Sequence, residues 1–309
     1  MENETYDLII LGAGPAGVSA AVYAERYNLK SIMVGEIFGG TVMYPHKINN
    51  FPSYPEISGI ELINNFRKHI ESMHYKVIED LIVKVNKEND LFSVYLRNGN
   101  VLVGKNILIT LGTFRRKLNA KGEDKFIGKG VHYCAICDAV FYKGKDVAVV
   151  GSGDGASMAV LLLAENCSKV YQIIRGDELK TAPDTVEKLE KLNNYSLIKN
   201  NEILEISGDN FVRSINLKEE FDGKKEILLD GVFIEIGGAP NSAIISDLNI
   251  LTDDKGYIKV DNFMRTNVDG VWAAGDITDI HGDFKQIINA CSQGSVAAHD
   301  IYKKNGNIK

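Results

Sequence analysis

Two glycine-rich turns about 140 residues apart constrain this chain more than any other feature. The first, Gly12-Ala-Gly14-Pro-Ala-Gly17, follows an apolar run from Tyr6 to Leu11 and precedes a helical pattern from Val18 to Tyr27. Ser31 to Val34 then reads as a second strand. The second turn, Gly151-Ser-Gly153-Asp-Gly-Ala156, lies between a strand over Asp146 to Val150 and a helix over Ser157 to Asn166. Lys169 to Ile174 is the strand after it. Strand, glycine turn, helix and strand in that order is the setting in which G-x-G-x-x-G or G-x-G-x-x-A holds a dinucleotide. The glycines let the main chain approach a pyrophosphate, and the helix N-terminus favours its charge. The bland alternative is a tight turn with no ligand. Two such units mean two nucleotide sites, or one site and a relic.

The rest of the chain completes this pattern. Phe92 to Leu96 and Val101 to Val103 alternate like a hairpin about Asn98-Gly99, and Asn106 to Thr110 is a buried strand closing at Gly112. Near Phe114 to Gly122 the chain turns polar and charged, as a crossing between domains does. It leaves the second domain after Gly237-Gly-Ala-Pro-Asn241, and Ala290 to Tyr302 reads as a long closing helix. The expected fold is α/β, with two Rossmann-like three-layer dinucleotide-binding domains. Residues 1–114 and 245–309 form the first, and 115–244 form the second, inserted into the first. A length of 309 residues suits two domains. A net charge of −6 with no basic stripe argues against nucleic acid as a partner. The N-terminus lacks a charged leader, and its apolar run is too short for a membrane span, so a cytoplasmic protein is expected.

Of the four cysteines, only Cys134 and Cys137 are close, with Asp138 directly behind them. Zinc usually takes four ligands, often as two pairs, and here there is no second C-x-x-C; His132 alone is a poor third ligand. Redox use is therefore favoured over a metal site, and no metal is expected. A thiolate is the nucleophile of disulfide exchange. Cys167 and Cys291 stand in apolar helical surroundings and read as packing residues.

Two glycine turns flanking a central Cys134-Ala-Ile-Cys137-Asp138, with Gly270-Val-Trp-Ala-Ala-Gly275-Asp276 ahead of a closing helix, resemble the low-molecular-weight thioredoxin reductases of the two-dinucleotide-binding-domain flavoproteins. The likeness runs from about residue 5 to residue 303. It implies FAD on Gly12, Gly14, Pro15, Ala16 and Gly17, with Gly39, Gly40, Thr41 and Asn50 against the flavin. Gly112 closes the strand beside that turn. The likeness further implies that Gly275 and Asp276 meet the ribityl chain and that Lys285, Gln286 and Ile287 pass the isoalloxazine ring. By the same likeness Cys137 faces the flavin, Cys134 attacks thioredoxin, and Asp138 moves the proton during exchange; a turn cap is the alternative for Asp138. The resemblance also implies a homodimer, and a second domain that rotates about crossings near residues 113 to 117 and 242 to 246.

The donor side departs from the family pattern. The second turn keeps Gly151, Gly153 and Ala156, a remnant or working site for NADPH or NADH. The family's His-Arg-Arg-x-x-x-Arg run is here Ile174-Arg175-Gly176-Asp177-Glu178-Leu179-Lys180, so only Arg175 and Lys180 remain to hold a phosphate. Met158 and Ala159 replace a pair of glutamates, and Thr110-Leu111-Gly112 replaces Ala-Thr-Gly. Similar erosion marks thioredoxin reductases that take electrons from reduced ferredoxin or a deazaflavin, so the donor stays open. The expected function is a flavin-dependent thioredoxin-disulfide reductase. The alternatives are a redox-sensing flavin-binding protein, or a reductase for a peroxidase or glutaredoxin-like partner.

Overall fold

Leu8–Leu11 is buried along its whole length, and successive side chains of a strand point to opposite faces. Leu8 and Ile10 therefore enter one core, and Ile9 and Leu11 enter another. A strand of this kind needs a sheet covered on both faces. The computed structural model describes residues 4–43, 48–241, 243–282 and 284–307, with the side chains of Arg115, Ile136, Cys137 and Ala243 outside that description. It builds such a sheet twice. One unit takes the chain up to Met43, Ile48–Phe114 and Ala239–Lys309; the other takes Arg115–Gly238, an insertion in the first.

The first unit has five parallel strands in the order Val271–Ala273, Ile107–Ile109, Leu8–Leu11, Ser31–Val34 and Val77–Ile78. Helices Pro15–Arg26, Gly59–Ser72 and Ile287–Tyr302 cover the face of Leu8 and Ile10. Antiparallel strands Ile82–Glu88, Leu91–Leu96 and Val101–Gly104 cover the other face with Val85, Phe92 and Val94.

The second unit repeats the plan, with parallel strands in the order Val131–His132, Gly231–Ile234, Asp146–Val150, Lys169–Ile173 and Tyr195–Ile198. Val147 and Val149 pack under the helix Asp154–Ala164, while Ala148 and Val150 face the antiparallel strands Ile203–Gly208, Val212–Phe221 and Lys224–Leu228. In both sheets the strand that runs into the glycine turn is the middle one. The two connections between the units, Thr113–Arg115 and Gly238–Pro240, pair as a two-stranded ribbon.

Three helices begin earlier than their apolar periodicity indicates. The first starts at Pro15, with Gly14 as its N-cap, and the equivalent helix starts at Asp154, with Gly153 as its cap. The closing helix starts at Ile287. The opening turns of the first two hold small residues, Ala16 and Gly17 or Gly155 and Ala156, which add little to an apolar stripe although Ala16 and Ala156 are buried. No helix among the described residues is long and apolar enough to cross a membrane.

The closing helix is pinned by one buried carboxylate. Asp300, 3% exposed, accepts hydrogen bonds from Arg265 Nε and Nη2, both at 2.6 Å, and from Trp272 Nε1 at 2.9 Å. Burial pushes the Asp300 carboxyl up, but the Arg265 and Trp272 hydrogen bonds with the nearby positive charge outweigh it and hold the group below its ordinary value. A depressed carboxyl stabilises the fold above its unfolded pKa of ~3.9 and loses that contribution as pH falls through the folded value. Asp300→Ala is expected to lower stability by about 2–4 kcal/mol, since it removes charge-assisted bonds and strands the indole N–H. Urea unfolding followed at Trp272 checks this. The gap between wild type and variant should be full at neutral pH and shrink below about pH 4.

Candidate functional site

The first glycine turn is built by close approach of main chains. Gly12 has φ +121°, and a Cβ there would lie 2.2 Å from the Thr110 carbonyl oxygen. Gly17 sits over the turn, where a Cβ would lie 2.0 Å from the Gly12 oxygen. Gly12 and Gly17 are thus required by the protein's own packing. Gly14 is different, because a Cβ there would meet nothing within 4 Å. Gly14 caps the helix Pro15–Arg26 with no side-chain hydrogen bond, Pro15 stands in its first turn, and no acid does. This helix start therefore presents main-chain N–H groups and open space to an anion.

Other expected residues gather around this turn. Gly39 N–H donates to the Ala13 carbonyl at 2.7 Å, and a Cβ on Gly40 would lie 3.7 Å from Gly14 Cα. Thr41 follows, exposed, in the single turn Gly40–Met43. Buried Ala16 meets the closing helix, where a Cβ on Gly294 would lie 2.0 Å from the Ala16 oxygen. Gly275 has φ +85°, with Ala16 Cβ 3.1 Å from where its own Cβ would be. Asn50 Nδ2 donates to Gln286 Oε1 at 3.0 Å, joining two expected residues 236 positions apart. Gln286 caps the helix that starts at Ile287. Burial raises the Asp276 carboxyl above its usual range, against the opposing charge of Lys285. The Lys285 ammonium donates to the Thr278 carbonyl and lies 4.6 Å from the Tyr257 ring centroid. Gly112, with φ +61° and open space at its Cβ position, accepts from Asn241 N–H at 3.2 Å.

Two supports escaped the sequence reading. Thr110 Oγ1 donates to the Leu11 and Gly12 carbonyls at 3.0 and 2.9 Å, so this departure from Ala-Thr-Gly locks the turn. Gln293 Oε1 accepts from Gly275 N–H at 2.6 Å, and its amide nitrogen meets His281 Nδ1 at 3.0 Å. A polar residue on the buried stripe of the closing helix was the available signal for Gln293.

The dithiol segment belongs to the second unit. Cys134 is disulfide-bonded, while Cys167 and Cys291 are free. Burial pushes both free thiols up to about 11, which leaves them protonated and inert. Cys167 is buried just past the end of its helix, and Cys291 is half-buried inside the closing helix. The main chain of Cys137 lies in the single turn Ala135–Asp138, but its side chain is outside the described residues. Asp138 Oδ2 meets His132 Nδ1 at 2.8 Å, and His132 Nε2 meets the Tyr142 hydroxyl at 2.7 Å. His132, weighed above only as a metal ligand, is thus the partner of Asp138.

The second glycine turn repeats the first in its main chain. Gly151 has φ +143°, and a Cβ there would lie 2.2 Å from the Glu235 carbonyl oxygen and 3.0 Å from Ala156 Cβ. Its surroundings are more acidic. Asp154 stands in the first turn of the helix, and Glu235 Oε2 lies 4.0 Å from where a Cβ on Gly155 would be. The run after the next strand folds back on the turn: Lys180 N–H donates to the Ser152 carbonyl at 2.7 Å, and Thr181 Oγ1 donates to Asp154 Oδ1 at 2.7 Å. Arg175 is exposed, and Ala159 is buried in the core.

Residues 6–294 match the family described as pyridine nucleotide-disulphide oxidoreductase. The chain is 35% identical over 294 residues to a thioredoxin reductase of Mycoplasma genitalium, covering 94% of this chain and 93% of that protein. Its fold is similar to the crystal structure of Lactococcus lactis thioredoxin reductase, with a TM-score of 0.93 at 31% identity over 98% of this chain and 100% of that one. It is also similar to a ferredoxin-flavin thioredoxin reductase of Clostridium acetobutylicum, with a TM-score of 0.53 at 32% identity over 98% and 99% of the two chains.

The two glycines of the first turn should respond to substitution in opposite ways. Gly12→Ala forces a methyl into Thr110 at a left-handed φ and is expected to cost about 2–4 kcal/mol or prevent folding. Gly14→Val is expected to change apoprotein stability by about 1 kcal/mol or less and to weaken FAD binding at least about tenfold. Fluorescence titration of apoprotein with FAD, beside thermal melts without it, checks both.

Proposed function

The chain belongs to the pyridine nucleotide-disulphide oxidoreductase family as an FAD-dependent disulfide reductase, and from that premise we propose that it carries electron pairs through Cys134 and Cys137 to the disulfide of thioredoxin or a thioredoxin-like protein. The observation that carries the reading is the disulfide-bonded Cys134 at the start of the turn Ala135–Asp138, with the Asp138 carboxyl in the same turn. Val140 and Phe141 follow at once and are 72% and 67% exposed. Large apolar side chains left in water beside a redox centre suit a protein acceptor better than a small one.

FAD, when bound, supplies two-electron chemistry to the disulfide. In this reading Gly14 and the first N–H groups of the helix Pro15–Arg26 hold its pyrophosphate, and the Gly39–Gly40 loop closes beside them. Asp276 accepts a hydroxyl of the ribityl chain, and the Asn50–Gln286 pair fixes two loops against the ring. Gln293 and Thr110 keep the turns that present these groups. The observation that supports the fit is the opening at Gly14, unfilled by protein and capped by no side chain.

The donor we infer is not selectively NADPH. Its 2′-phosphate is normally held by clustered cations, with arginine preferred for its planar fork. Here Arg175 and Lys180 stand with Asp177 and Glu178 between them. Glu235 and Asp154 add negative charge where a pyrophosphate would approach the helix N-terminus. The loss of two charge-assisted hydrogen bonds, at roughly 1.5–3 kcal/mol each, is enough to abolish preference for NADPH over NADH.

Two measurements test these readings. Cys137→Ser should let Cys134 form a stable mixed disulfide with thioredoxin, because the resolving thiol is gone, whereas Cys134→Ser should trap none and reduce no thioredoxin. Normal turnover in both variants overturns the dithiol role, and reversed trapping overturns the assignment of the two cysteines. For the donor, anaerobic stopped-flow bleaching of the flavin should show NADPH and NADH within about tenfold of each other, which is ~1.4 kcal/mol. Both should be slower than reduced ferredoxin or a reduced deazaflavin at equal concentration. Fast saturable bleaching by NADPH, with NADH far behind, overturns the donor reading.

A further inference from the structure

Behind Asp138 stands a largely buried imidazole. His132 ends the edge strand Val131–His132, whose parallel pairing sets it beside Phe233. Its ring stacks on Phe233 with centroids 5.2 Å apart, and only 10% of the side chain is exposed. Both ring nitrogens are engaged, Nδ1 with Asp138 Oδ2 at 2.8 Å and Nε2 with the Tyr142 hydroxyl at 2.7 Å. Tyr142 is itself held in place: its ring fills the space over Gly231, where a Cβ would lie 2.4 Å from Tyr142 Cε1.

We propose that His132 is a positioning residue for Asp138: imidazole and carboxyl share one proton, and this pair, rather than Asp138 alone, protonates the thiolate that leaves the partner protein. The geometry suits both states of the pair. With His132 neutral, Tyr142 O–H donates to Nε2 and Nδ1–H donates to the Asp138 carboxylate. With His132 protonated, Nε2–H donates to the Tyr142 oxygen, because a hydroxyl can donate or accept. Burial first, then the charge of Asp138, pushes the Tyr142 phenol up to about 12, so it keeps its own proton. Among the described residues, the other titratable or charged groups acting on this cluster are Asp230 and Cys167, both toward Tyr142, and Lys145, whose ammonium lies 5.2 Å from the Tyr142 ring centroid.

The Cys134 thiolate attacks the partner's disulfide, a new S–S bond forms, and the partner's bond breaks with its electron pair on the leaving sulfur. That thiolate takes the proton of the His132–Asp138 pair. The Cys137 thiolate then attacks Cys134, closing their disulfide and releasing the second partner thiolate. The dithiol is oxidised and the partner's disulfide is reduced. Without the imidazole only the Asp138 carboxyl is left to carry that proton, so the dependence of the rate on pH is expected to change.

The proposal rests on the disulfide-reductase reading above, and its test separates the two. Holoenzyme reduced with dithiothreitol and desalted anaerobically is mixed, across a pH series, with oxidised thioredoxin, bis(2-hydroxyethyl) disulfide or 5,5′-dithiobis(2-nitrobenzoate). The first two release basic alkyl thiolates, and the third releases a weakly basic aromatic thiolate that leaves without a proton. His132→Phe, which preserves stacking on Phe233, is expected to slow the two alkyl disulfides about tenfold at neutral pH. It should also move the alkaline limb of their rate to lower pH and leave the aromatic disulfide within about twofold of wild type. His132→Asn, which can still donate to Asp138 but cannot titrate, should show the same displaced limb. Equal slowing of all three acceptors, or wild-type rate and pH profile in both variants, overturns the proposal. If wild type reduces bis(2-hydroxyethyl) disulfide but not thioredoxin, the protein-partner reading fails while His132 is still decided by the small disulfides.

Discussion

At Gly12 the main chain passes so close to the neighbouring strand that no side chain fits between them. A methyl group there would lie 2.2 Å from the Thr110 oxygen. The same approach recurs at Gly151, again at 2.2 Å, against the Glu235 oxygen. This contact turns the chain out of the sheet and into a helix within three residues. It sets the helix N-terminus at the carboxyl end of the strands, where open α/β sheets bind their ligands. The position of Gly14, of the Gly39–Gly40 loop and of the Ala16–Gly294 crossing all depend on it.

One backbone solution thus serves two units with different surroundings. In the first, the strand beside the turn is followed by Thr110, whose hydroxyl lies within hydrogen-bond reach of the Leu11 and Gly12 carbonyls and adds no charge. In the second, the same place is taken by Glu235, with Asp154 opening the helix. A helix N-terminus favours negative charge, and an acid already present there opposes a second anion. The two turns therefore share their glycines but differ in charge, with acids beside the second and none in the first turn of the first helix. The inserted unit is better understood through what it carries: the Cys134 segment, Asp138, and the His132–Tyr142 pair behind them.

The buried polar groups divide in the same way. Asp300 is saturated by Arg265 and Trp272 and holds the closing helix to the sheet. Gln293, on the same helix, turns its polarity toward Gly275 and so toward the loop that carries Asp276. Helix anchoring and site geometry share one element, with positions 293 and 300 about two turns apart on its buried stripe.

Much of this was determined by the sequence alone. Continuous apolar runs over Leu8 to Leu11 and Val147 to Val150 demand sheets covered on both faces, and two glycine turns in strand-helix settings demand two such units. The spacing of Cys134, Cys137 and Asp138 is local, so the candidate dithiol and its neighbouring carboxyl stand out in the sequence without any knowledge of the fold. Local spacing also showed the thinning of cations between Arg175 and Lys180. Only the tertiary structure decided the rest, because those contacts join residues distant in the chain. Asn50 meets Gln286, Thr110 closes Gly12, and Gln293 holds Gly275 through hydrogen bonds that no periodicity encodes. His132 is close in sequence to Asp138, yet its role was hidden. Its ring finds the carboxyl only because parallel pairing with Phe233 and the Tyr142 ring over Gly231 leave it one orientation.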